Sequence, residues 1–104
     1  MDISNLKNIS DRSFNIALAK KNALEKAESS MLLAYSGHLF KADAETINLV
    51  QTLKGRLQKF VVLDSNNNPM MIEDADNFLD KLIAKQQEAL NTYHQIYNDA
   101  IKKG

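Results

Sequence analysis

From Asp11 to Tyr35, apolar residues recur at the three-and-four spacing of a helix. Phe14, Ala17, Leu18, Leu24, Met31 and Tyr35 fall near one face, interrupted by Lys21 and Glu28. Ile16, Ala19, Ala23, Ala27 and Ala34 form a second strip beside it, small enough for another helix to come close. Ser10 or Asp11 is placed to cap this helix by accepting a free first-turn amide. Ser36-Gly37 is expected to end it, with glycine taking the left-handed conformation that closes a last turn. Ile3, Leu6 and Ile9 precede it at spacing three. They read either as one or two further helical turns, or as an arm over residues 1–10 that orders on a neighbour.

The pattern then shortens. His38–Ala42 alternates weakly, as a short strand or an extended link. Asp43 caps a second helix from Ala44 to about Leu57, with Ile47, Leu49, Val50, Leu53 and Leu57 on its apolar side. Lys59–Leu63 is β-branched and aromatic and reads as a strand. Ser65-Asn66-Asn67-Asn68-Pro69 is a turn, because asparagine tolerates positive φ and proline fixes its own. Met70–Ile72 returns as a shorter strand, with proline at a start or edge position. Asp74 caps a final helix running to about Lys102. Its residues Leu79, Ile83, Gln86, Leu90, Tyr93, Tyr97 and Ala100 alternate spacings of four and three, a heptad seam. Phe78, Leu82, Ala89, Ile96 and Ile101 widen that face.

These elements predict a single α+β domain over residues 1–104, mainly helical. Two long amphipathic helices and one shorter helix surround a small β-hairpin or three-stranded sheet. The long helices pack on each other within one chain, or part of the C-terminal seam meets another copy or a partner helix. Leu79, Ile83, Gln86, Leu90, Tyr93 and Tyr97 are therefore the candidate interface residues. Tyrosine suits such a place because it joins apolar area to a hydrogen-bonding tip.

Composition narrows the chemistry. The 104 residues include 13 basic and 13 acidic side chains, for zero net charge. That gives no global drive toward nucleic acid or an anionic membrane, and little long-range repulsion against self-association. The chain has no cysteine, which removes disulfides, thiolate zinc sites and cysteine nucleophiles. No apolar run approaches the roughly 18 residues of a membrane span. Met1–Leu6 lacks the basic start and apolar stretch of a signal peptide. The absence of cysteine fits a cytosolic protein or a virion part.

Candidate chemical sites are few. Asp64–Asn68 offers oxygens at alternate positions, like the start of a calcium loop. The glycine required at the sixth position is Pro69, however, and the bidentate glutamate at the twelfth is Ala75. The segment therefore reads as a plain turn. His38 and His94 have no second ligand at zinc spacing and read as surface or packing residues. Glu73, Asp74, Asp76 and Asp80 gather at a helix start and read as caps and dipole partners. Lys54, Arg56 and Lys59 with Phe60 form a small basic-aromatic cluster, too weakly charged to favour nucleic acid. With three glycines, no phosphate-cradling loop exists. No set of nucleophile, base and anion-stabilising groups is apparent, so no enzymatic activity, cofactor or metal is expected.

The order of features from residue 19 to 101 resembles a known family. An alanine-rich helix leads into Ala34-Tyr35-Ser36-Gly37-His38-Leu39-Phe40-Lys41-Ala42-Asp43, then into a helix starting Ala44-Glu45-Thr46-Ile47. A strand, an asparagine-rich turn and a last helix follow. This resembles a family of small uncharacterised domains of tailed bacteriophages, found alone or in tail-fibre and tail-fibre-assembly proteins. Its signature joins two helices through glycine, an aromatic, alanine and aspartate, here Gly37, Phe40, Ala42 and Asp43. Members often carry tryptophan before the turn, where this chain has Phe60. The resemblance implies a non-enzymatic structural or assembly protein of a phage tail, acting through helix–helix contacts. Its partner would be a tail or fibre component, with a homo-oligomer as a further expectation. The alternative is a small phage-encoded regulatory protein that binds a host protein or nucleic acid.

Overall fold

The computed structural model describes residues 3–103, with side chains from Arg12 to Lys102. Three helices alternate with two β-hairpins, so the chain is α+β and mainly helical. The order is α1 (Ile3–Ser30), β1 (Leu32–Tyr35), β2 (His38–Lys41), α2 (Ala44–Lys54), β3 (Phe60–Leu63), β4 (Pro69–Ile72) and α3 (Ala75–Lys103).

Helix α1 begins earlier and ends earlier than its periodicity suggests. The backbone of Ser10 and Asp11 lies inside it rather than at its start, and no glycine or proline interrupts Ile3–Ser30. The backbone of residues 3–10, expected either as helix or as an arm, continues the helix; Met1 and Asp2 lie outside the described residues. The helix stops at Ser30 rather than Tyr35. The hydroxyls of Ser29 and Ser30 donate back to the Lys26 and Ala27 carbonyls, each at 2.8 Å. Such bonds give the last turn local partners in place of continued helix.

Residues 32–41 then fold as an antiparallel hairpin, pairing Leu32 with Lys41 and Tyr35 with His38. Ser36-Gly37 is its two-residue turn, not a helix end. Ser36 has φ 50° and Gly37 φ 82°, the two positive values that a tight hairpin turn of this twist demands. The Ala42 amide donates to the Met31 carbonyl at 2.8 Å and closes the hairpin's base. A Cβ on Gly37 would meet nothing within 4 Å, so any cost of substitution is conformational. Gly37→Ala is expected to destabilise the protein by about 1–2 kcal/mol, the cost of placing an L-residue there. D-alanine at the same position, introduced by chemical synthesis, should keep the wild-type melting temperature. Equal losses for both enantiomers would contradict this account of the turn.

Asp43 caps α2 as expected, its carboxylate accepting from the Thr46 amide at 2.9 Å. Asp74 does the same for α3 from the Asn77 amide at 3.1 Å. The second hairpin pairs Phe60 with Ile72 and Leu63 with Pro69. The two hairpins do not merge into a three-stranded sheet. One backbone hydrogen bond, from the Ser65 amide to the Leu39 carbonyl at 2.7 Å, joins them.

The core sits where these elements meet. Phe40 of β2, Val50 of α2, Ile72 of β4 and Phe78 and Leu82 of α3 are fully buried. Phe78 lies between Tyr35 and Phe40, with ring centroids 4.8 and 4.9 Å away. Helix α1 runs antiparallel along α3: Lys20 lies over Tyr97, whereas the hairpin beyond its other end meets Phe78. Among the described side chains of α1, Ala23 and Ala27 are the buried ones. The small strip therefore carries the helix contact, and Phe14, Leu18 and Leu24 of the larger-residue stripe stay exposed. Alanine wins these places because helix backbones can approach closely over it.

The molecule is long, with extents of 66 × 23 × 18 Å and a radius of gyration of 19.3 Å. A compact domain of this length has about 13 Å. Its accessible surface is 7467 Å². A compact monomer of its mass exposes about 5,900 Å².

Candidate functional site

The heptad seam of α3 divides between the interior and one flank. Leu79 is buried in the core and Ile83 packs against it. Tyr93 turns toward α1, where it lines a small cleft with Ala23, Ala27 and Ala89. Tyr97 stacks on Tyr93 with centroids 6.2 Å apart, and the Lys20 ammonium lies 5.9 Å from its ring centre. Gln86 and Leu90 instead reach a groove beside the helix pair.

That groove is lined mainly by apolar surface. Its walls come from Leu24 and Glu28 of α1, Met31 just past its end, Leu32 of β1, and Gln86 and Leu90 of α3. Lys41 and Asp43 stand at its far side. It encloses about 600 Å³. Leu24 keeps 38% of its surface exposed and Leu32 keeps 41%. The local reason is the early stop of α1. Because the chain leaves the helix at Ser30, Leu32 projects from a strand rather than continuing along the helix. A hollow therefore opens between strand, α1 and α3. Its apolar floor and two-signed rim fit a protein side chain or helix better than a small charged ligand.

A second exposed apolar face lies on the outer side of the β3–β4 hairpin, where Val61, Leu63 and Met71 are exposed. Strand alternation explains it: Phe60, Val62 and Ile72 point inward, so their neighbours point out.

The two hairpins are clasped by one polar pair. His38 Nδ1 and Asp64 Oδ2 are 2.7 Å apart. Asp64 is buried, and its other oxygen accepts from the Asn66 and Asn68 amides at 2.8 and 2.9 Å. The His38 contact, with help from these amides, holds the Asp64 carboxyl below its ordinary value of 3.8, against the opposing effect of burial. Both oxygens thus face donors, an arrangement that orders a turn rather than receiving a cation. Sequence reading had Asp64 as a turn residue and His38 as a lone surface or packing residue. The alternation Asp64, Asn66, Asn68 was the signal for the turn; nothing local pointed across 26 residues to His38.

The aspartate–histidine contact has the form of the orienting half of a catalytic triad. Among the described residues His38 makes no hydrogen bond to a hydroxyl, and no group of three metal-ligating side chains converges. His94 lies on the exposed side of α3, 3.2 Å from the Asn98 amide nitrogen. The basic-aromatic cluster does not assemble. Phe60 is buried in the core, and the Lys54 ammonium is paired with Asp76, whose hydrogen bond and charge raise its pKa. Asp76 thereby ties the end of α2 to the start of α3. No helix among the described residues is long and apolar enough to cross a membrane.

No protein-family model, curated protein or solved structure matches the chain.

Proposed function

We propose that the chain is a non-enzymatic assembly protein that docks other proteins along the flank of its helix pair. The observation that carries this reading is the groove of Leu24, Leu32 and Leu90, an apolar hollow left open on an elongated helical body. The resemblance through Gly37, Phe40, Ala42 and Asp43 supports a phage tail as the setting, with a tail or fibre component as partner. The exposed face of Val61, Leu63 and Met71 gives such a protein a second surface, turned away from the core.

The test uses purified phage particles. The wild-type chain should accompany them at a fixed copy number, and Leu24→Glu with Leu32→Glu should be lost from them while keeping native circular dichroism. Both side chains are already partly in water, so the paired change alters the groove more than the core. Absence of the wild-type chain from particles, or full retention of the double variant, would overturn the reading.

A further inference from the structure

We infer that the occupant of the groove is a second copy of this chain, paired antiparallel through α1, with Phe14 of each copy entering the groove of the other. This rests on the docking reading above: the groove joins two copies into the unit that assembles, and the exposed face of Val61, Leu63 and Met71 is left for the tail or fibre component. Three observations lead to it.

The first is a knob to match the hole. Phe14 keeps 67% of its surface exposed, the largest fraction among the exposed large apolar residues described. At about 100° per residue, Phe14, Ala17, Lys21, Leu24 and Glu25 share one outward arc of α1. Ala23 and Ala27, which meet α3, are turned away from that arc. The arc runs directly into the groove through Leu24.

The second is register. An antiparallel pairing centred near position 23 sets Lys21 opposite Glu25 of the second copy, and Glu25 opposite its Lys21. The same pairing puts Phe14 about 14 Å from the centre, just past the level of Ser30 at about 10 Å, where α1 of the other copy ends beside Leu32 and the groove. Lys21 and Glu25 are exposed and have no ion-pair partner among the described residues. The groove rim repeats the complementarity, with Lys41 against Glu28 and Asp43. A surface carrying both signs in this order is self-complementary under a two-fold axis, as an isologous dimer requires. Exposed ion pairs contribute little affinity, but they select the register.

The third is area. The chain exposes about 1,600 Å² more than a compact monomer of its mass. A standard stable interface takes about 800 Å² from each partner. The excess covers that requirement, and zero net charge leaves little long-range repulsion against it.

Sedimentation equilibrium of the full chain from about 1 to 200 μM reads the result, a range that spans typical weak-to-moderate dimers. The wild type should sediment as a dimer at the upper end. Phe14→Ser should weaken dimerisation at least about tenfold, the effect expected of an aromatic anchor seated in a pocket. Lys21→Glu should also weaken it, and adding Glu25→Lys should restore it. Circular dichroism checks that each variant keeps the wild-type helix content, which their exposed positions favour. A wild-type monomer throughout, a higher oligomer, or a charge swap that fails to restore association would each overturn the inference. A monomer that still enters particles overturns this pairing alone. A dimer absent from particles overturns the assembly reading alone.

Discussion

Replacing Phe78 with alanine should lower the unfolding free energy by about 3–5 kcal/mol. Phe78 has no exposed surface and touches two aromatic rings from the first hairpin. It stands in the first turn of α3, where its amide donates to the Asp74 carbonyl at 3.1 Å. One ring thus joins the start of the last helix to strands some 40 residues earlier. Truncation removes both ring contacts and leaves a cavity between Tyr35 and Phe40, which are held by the strand register. Domains of this size are stable by about 5–15 kcal/mol, so the loss is a large part of the whole. Urea denaturation should show a lower midpoint with an unchanged slope. A loss below about 1 kcal/mol would show that the ring cluster does not hold the hairpin to the helix.

Removing the Asp64 carboxylate should be the second large effect. It satisfies two backbone amides and His38 at once, at the junction of both hairpins. Asp64→Ala removes all three bonds at once from a part-buried junction, and donors left without a partner there cost more than an average hydrogen bond. The melting temperature should fall by roughly 5 °C or more. The same group makes stability depend on acid. Its folded pKa lies below the ordinary value of 3.8, so the folded state holds its proton less tightly than the unfolded state does. The stabilisation is therefore fully present above the ordinary aspartate range, and drains away as pH falls through the lower folded value. Thermal melts between pH 6 and 2 should show Asp64→Asn converging on the wild type at the acid end. A constant gap between the two curves would mean that the charge on Asp64 is not what the turn uses.

The elements read correctly from sequence are those whose causes are local. Asp43 and Asp74 cap because a side-chain oxygen reaches an amide three residues on. The second hairpin is legible because Asn67, at φ 62°, and Pro69 restrict the backbone by their own chemistry. The first hairpin is different. Leu32-Leu33-Ala34-Tyr35 is mostly composed of good helix formers, and glycine serves equally as a helix stop and a turn residue. What decides it is Tyr35 against Phe78, a contact that no local pattern contains. The alanine strip is legible as well: its small residues allow a close helix, and Ala23 and Ala27 are where α1 meets α3. Of the seam residues, Gln86 and Leu90 reach the groove, Leu79 and Ile83 serve the core, and Tyr93 turns to α1. Periodicity places residues on a helix face; it does not say where the neighbouring helix ends and a strand begins.

The alanine contact between α1 and α3 also shapes how the molecule opens. Large interlocking side chains cluster at one end, around Phe40, Phe78 and Leu82, and alanine carries the contact further along. Little apolar area is lost when helices separate over alanine, so each turn away from the hub costs less to release. Amide exchange should accordingly be slowest in the strands and the first turns of α3, and quicken along both helices away from them. The helix pair should then behave as a zipper with one anchored end, parting at its free end while the hub stays folded.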